Sequence, residues 1–130
     1  MEFSKETVAG KAVLEIDVTE KDVYYIVVGA LEQGSTYWVG LDNRGEEFKN
    51  REKGVHTLDV VTKLLLDGKS VTLYDIENED NKWELTLEKL LKGIAQNKKE
   101  RPSDSDLENA DAGTYDCILQ YAVLGELVYG

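Results

Sequence analysis

The sequence predicts one α+β domain over residues 1–130, a small and mostly antiparallel sheet with about four helices packed on it. Three observations carry that expectation. Apolar residues recur at helical spacing in several separate windows. Short runs of β-branched and aromatic residues, bounded by turn residues, fall between those windows. A chain of 130 residues with 42% apolar content is large enough for one self-supporting core and leaves little room for a second. The expected order of elements is β-α-β-α-β-β-α-α.

The first element is a strand over Ala12–Val18, where Leu14, Ile16 and Val18 alternate with Glu15 and Asp17, as in a half-buried strand. Thr19 then offers a helix cap, and the acids Glu20 and Asp22 suit the positive end of a helix dipole. Behind them Val23, Ile26, Val27, Ala30 and Leu31 share one helical face, so a helix is expected over residues 20–33, ended by Gly34. Thr36–Leu41 reads as a strand closed by the turn residues Asp42 to Gly45. The polar stretch Glu46–Gly54 extends a hairpin or forms a mobile loop.

Thr57 is the expected cap of a helix running to Asp67, apolar nearly all round and stopped by Gly68. Ser70–Ile76 and Lys82–Leu85 follow as two strands of a hairpin joined across residues 77–81. Thr86 caps the next helix, whose expected buried face is Leu87, Leu90, Leu91, Ile94 and Ala95. Asn97–Ala110 reads as a polar connector holding the single proline, Pro102. The final helix starts near Asp111, carries Tyr115, Ile118, Leu119, Ala122 and Val123 on one face, and breaks at Gly125. The remaining Glu126–Gly130 either adds a short edge strand or packs as a tail.

Charge is the strongest compositional feature. With 26 Asp and Glu against 15 Lys and Arg the formal net charge is −11, which disfavours direct binding to nucleic acid or to an anionic membrane. Acidity serves solubility, or it engages a basic protein partner, for example a nucleic-acid-binding one. The acids are concentrated late: Asp104, Asp106, Glu108, Asp111, Asp116 and Glu126 follow Ser103 with no Lys or Arg, just after the basic Lys98, Lys99 and Arg101. No apolar run reaches the roughly 18–20 residues of a membrane span. The start Met-Glu-Phe-Ser-Lys-Glu lacks the order of a signal peptide, so the cytoplasm is the expected location.

Chemical motifs are read mostly by elimination. One cysteine, Cys117, permits no internal disulfide, and its apolar-periodic setting marks it as a small core filler. His56, the single histidine, reads as a surface or capping residue. Asp75 to Asp80 invites a calcium loop but lacks the turn glycine at the sixth place, and Thr86 stands where the bidentate Glu belongs. No phosphate-cradling glycine loop occurs. No catalytic residue, metal ligand or cofactor is therefore expected. Among the aromatics, Tyr37, Trp38, Tyr74, Trp83 and the pair Tyr24–Tyr25 read as core and sheet packing, or as a contact surface bordered by acids.

The run from Asp111 to Gly130, Asp-Ala-Gly-Thr-Tyr-Asp-Cys-Ile-Leu-Gln-Tyr-Ala-Val-Leu-Gly-Glu-Leu-Val-Tyr-Gly, resembles the ending of small uncharacterised proteins of phages and conjugative elements of Gram-positive bacteria. Asp17-Val-Thr-Glu20, Gly34-Ser-Thr-Tyr-Trp38 and Leu85 to Gly93 match in the same way. The resemblance implies a mobile-element context and carries over no activity. It draws attention to Asp116 and Gln120, four apart on the last helix, either tying the Tyr129–Gly130 tail to the domain or forming a polar patch that meets a ligand.

The candidate binding residues are thus Tyr37, Trp38, Asp111, Asp116 and Gln120. The leading expectation is a non-enzymatic, protein-binding accessory factor of a phage or mobile element, with a DNA-mimicking inhibitor as its sharper form. A small enzyme working through carboxylates is one alternative, and a structural component forming a homo-oligomer is the other.

Overall fold

A computed structural model describes all 130 residues. The elements are α1 (Glu20–Gly29), continued by a π-helical turn (Ala30–Gly34), β1 (Val39–Leu41), α2 (Glu46–Lys49), α3 (Thr57–Leu66), β2 (Val71–Asp75), β3 (Asn78–Leu85), α4 (Leu87–Glu100) and α5 (Ala112–Leu124). Two single turns of 3-10 helix, Pro102–Asp104 and Leu107–Asn109, lie between α4 and α5. The α+β class stands: five helices accompany one three-stranded antiparallel sheet of order β1-β2-β3.

The expected strand at Ala12–Val18 does not form. Residues 1–17 are exposed, and no hydrogen bond joins Val8–Val18 to the rest of the protein. Side-chain alternation sets which way residues would point in a sheet, but a strand also needs a neighbouring backbone to bond. The first regular element is α1, closed at its start by a reciprocal box in which Asp22 N–H donates to Thr19 Oγ1 at 3.1 Å and Thr19 N–H to Asp22 Oδ2 at 3.0 Å. Its buried face is Val23, Ile26 and Val27, as the spacing predicts.

Several boundaries shift for local reasons. Glu46–Lys49 is a short helix rather than a hairpin extension, and it buries Phe48 at the core's edge. His56, not Thr57, is the residue before α3, and its N–H donates to the Asp59 carboxylate at 3.3 Å. β1 begins only at Val39, because Ser35 to Trp38 complete the turn that leaves α1. β3 begins at Asn78, earlier than Lys82, through a register shift beside Tyr74 and Asp75. No apolar alternation marks Asn78–Asn81, so those residues carry no strand signal. The buried face of α4 is Leu90, Gly93, Ile94 and Asn97, whereas Leu91 and Ala95 are exposed.

That rotation of α4 follows from how the last two helices meet. A Cβ on Gly93 would lie 2.6 Å from the Ile118 carbonyl oxygen and 2.9 Å from the Ala122 nitrogen, so only glycine lets the α4 and α5 backbones approach this closely. Gly34 has the same role against the start of α5, where a Cβ would sit 2.0 Å from the Ala112 carbonyl oxygen. Helix α5 is thereby held against both the π turn and α4. Its centre, Ile118 and Leu119, joins Val23, Ile26, Val61, Leu65, Leu73, Leu85 and Leu90 in one core. Gly125, at φ +78°, turns the chain out of α5.

Candidate functional site

Three of the five sequence-selected residues, Tyr37, Trp38 and Gln120, converge on the buried carboxylate of a fourth, Asp116. Asp116 lies in the second turn of α5 and is 8% exposed. Its Oδ1 accepts from Ser35 Oγ at 2.7 Å and from Trp38 Nε1 at 2.8 Å. Its Oδ2 accepts from Tyr37 OH at 2.7 Å and from Gln120 Nε2 at 3.1 Å. All four donors are neutral. A buried carboxylate normally needs a cation or several strong donors, and here three of the four come from the segment between α1 and β1 and the fourth from Gln120, one turn on in α5.

The local chain conformation explains why they fit. The π turn tightens into Ser35, whose N–H donates to the Ala30 carbonyl at 2.8 Å, and the chain then folds back through Trp38 N–H to Ser35 O at 3.1 Å. This tight passage brings Ser35, Tyr37 and Trp38 onto one side, and Gly34 lets the passage sit directly against α5. Ser35 was not singled out by its sequence, since an isolated serine after a helix-ending glycine carries no distinctive signal.

Gln120 extends the network to the chain's last residues. Its Oε1 accepts from Val128 N–H at 2.8 Å and Tyr129 N–H at 2.9 Å, and its Nε2 donates to the Tyr129 carbonyl at 3.1 Å. A side-chain amide thus mimics a strand neighbour for the tail, which packs without forming a strand. The Tyr129 ring stacks on Trp38 with centroids 5.0 Å apart and planes 15° apart, while Trp83 meets Trp38 edge-on at 5.5 Å. Trp38 is 1% exposed and so belongs to the core, not to an open contact surface. Tyr37 is 47% exposed, yet its hydroxyl is committed to Asp116. Partial burial, the hydrogen bond to Asp116 and the negative charge of Asp116 together push the Tyr37 phenol up to about 12.

Asp111 stands apart from this network. It caps α5: its Oδ1 accepts from Thr114 N–H at 3.0 Å, and Asp111 N–H donates to Thr114 Oγ1 at 3.2 Å. The Thr114 backbone N–H and hydroxyl hold its carboxyl below the usual carboxylate range. Thr114 also donates to Asp104, which Arg101 grips at 2.6 Å, so the end of α4 is pinned to the start of α5. Cys117 is half-buried nearby, and burial raises its thiol pKa, which lowers its thiolate fraction.

A second polar cluster lies at the turn end of the sheet. Asp42 accepts from Arg44 Nε and Nη2, both at 2.9 Å, with Lys82 Nζ at 3.6 Å. The Arg44 guanidinium holds the Asp42 carboxyl well below its ordinary range. These residues line a cleft of about 250 Å³ with Tyr74 and Glu79, but both cations are already turned toward Asp42. Tyr74 lies across Gly40 of the neighbouring strand, filling the space a side chain would need.

The most exposed of the large apolar side chains are in residues 1–14. Phe3 is 85% exposed, Val8 73%, Val13 90% and Leu14 79%. Leu14 and Ile16 form one wall of a cleft of about 410 Å³, facing Ile94, Lys98 and the turn at Ser105–Glu108. No helix is long and apolar enough to cross a membrane. No protein-family model matches the chain, and no curated protein or solved structure matches it.

Proposed function

We propose that the chain is a non-enzymatic, protein-binding factor serving a phage or mobile element, and that residues 1–17 form its contact surface. One observation carries this reading: Phe3, Val8, Val13, Leu14 and Ile16 are all exposed in a stretch whose backbone is unbonded from Val8 onward. Exposed apolar groups close together are the ordinary mark of an association surface. Holding them in water is unfavourable by about 25 cal/mol per Å² relative to burial, so covering them favours a complex. The network around Asp116, by contrast, spends its polar atoms on the fold.

The partner in this reading is a basic protein, including one that binds nucleic acid. A net charge of −11 steers cationic surfaces toward the chain and repels anionic ones. A carboxylate enzyme is less well supported. The two carboxyls with displaced pKa values, Asp42 and Asp111, are both held in their ionised form, whereas a general acid needs the opposite displacement.

The test is capture from a Gram-positive lysate by the full chain and by the full chain carrying Val13→Ser, Leu14→Ser and Ile16→Ser. The reading expects a basic protein retained by the native chain at low salt, released by high salt and lost with the triple substitution. Equal capture by both chains, or capture by neither, contradicts it.

A further inference from the structure

We infer that residues 12–17 bind by strand addition, pairing with an open sheet edge on a basic protein partner. This inference rests on the binding role proposed above and names its geometry.

Backbone hydrogen bonding is the first ground. Ala12–Val18 has the alternation of a strand, yet none of its N–H or C=O groups is bonded to protein. β-branched and apolar residues in this order favour an extended backbone, and an extended backbone finds complementary donors and acceptors along a sheet edge. Added to such an edge, the segment would place Leu14 and Ile16 on one face and Val13, Glu15 and Asp17 on the other, with Val18 staying packed on the core.

The second ground is that this chain's own edges are poor acceptors for it. β1 offers three residues. The outward edge of β3 is obstructed where Lys89 Nζ already donates to the Glu84 carbonyl at 2.7 Å. β3 also carries Glu79, Asp80 and Glu84 against one cation, Lys82, which is turned toward Asp42, so a second copy would set Glu15 and Asp17 among mostly like charges. Charged side chains guarding an edge are a known defence against self-pairing. The favoured occupant is therefore foreign, with lysine or arginine on the sheet face that meets Glu15 and Asp17, and an apolar surface where Leu14 and Ile16 arrive.

Proline scanning separates backbone pairing from side-chain recognition. In a strand, adjacent N–H groups point to opposite sides, so only one of residues 15 and 16 can donate to the partner. Full-length chains carrying Glu15→Pro, Glu15→Ala, Ile16→Pro or Ile16→Ala are used to capture protein from a Gram-positive lysate. A photo-cross-linking residue at position 13 reports what is touched, and one at Tyr25 serves as control. The inference expects cross-links from position 13 to a basic protein, mapping to an edge strand. It also expects one proline variant to lose capture about fivefold beyond its alanine counterpart, while the other proline variant matches its alanine. Proline and alanine giving equal losses at both positions would overturn strand addition while leaving the binding role in place. Cross-links between two copies of this chain would overturn the foreign partner. A native chain that captures nothing would overturn the binding role itself.

Discussion

Trp38 donates its indole N–H to Asp116 Oδ1 at 2.8 Å, joining the entry to the sheet to the last helix across 78 positions of sequence. The same indole carries Tyr129 stacked on its face, so one side chain connects the sheet, α5 and the tail. The carboxylate at the centre accepts four hydrogen bonds from neutral groups. Asp116→Asn turns one acceptor into a donor facing donors. The expected cost is about 3 kcal/mol of stability, read as a fall in the urea midpoint with an unchanged slope.

Gln120 holds the tail through three contacts with Val128 and Tyr129 backbone atoms. Gln120→Leu keeps the size of the side chain and removes those contacts. The tail is expected to detach, unstacking Tyr129 from Trp38, with a loss of about 1–2 kcal/mol. Tryptophan fluorescence and protease sensitivity after Gly125 report the release.

Tyr37 supplies a pH dependence with a definite sign. Its folded pKa, about 12, lies above the ordinary value of 10.0, so the folded state binds the phenolic proton more tightly than the unfolded chain. The associated stability is complete below pH 10 and is lost as pH rises toward 12. Tyr115 and Tyr121 are raised as well, so the diagnostic is a difference. Stability of Tyr37→Phe should fall less steeply than that of the native chain between those limits, as measured by urea titrations at stepped pH.

Gly34 and Gly93 are contact glycines. At Gly34 a methyl group would meet the Ala112 carbonyl, a backbone atom that cannot swing aside. Gly34→Ala is expected to cost at least about 2 kcal/mol by pushing α5 from the π turn. Gly68→Ala is the contrasting control: open space surrounds it, so only its positive φ of +79° penalises the change. Thermal unfolding should rank Gly34→Ala below Gly68→Ala.

Periodicity made α1, α4 and α5 legible, because each buries one face and that face repeats every three to four residues, while α3 was legible as an apolar run between Thr57 and Gly68. The β2–β3 hairpin was legible for the same kind of reason at Val71, Leu73 and Leu85. Ala12–Val18 has the pattern of a strand, but pairing is a property of two segments, and this fold supplies no second one. Leu91 and Ala95 were misplaced because glycine contributes no hydrophobic signal, although Gly93 determines which side of α4 meets α5. Asp116 and Gln120 were visible as a four-residue spacing beside an apolar stripe. The donors to Asp116 from Ser35 and Trp38 lie some 80 positions away, beyond what local spacing reveals.

The proposed role divides the chain into a complete fold and a leading segment kept for binding. Urea unfolding of the full chain and of a chain beginning at Val18 measures that division most directly, since Val18 is the first residue packed on the core and Thr19 caps α1. Stabilities within about 1 kcal/mol of one another are predicted, because exposed residues contribute little to folding. A loss of several kcal/mol in the shortened chain would show that residues 1–17 belong to the fold and would contradict their role as a contact surface.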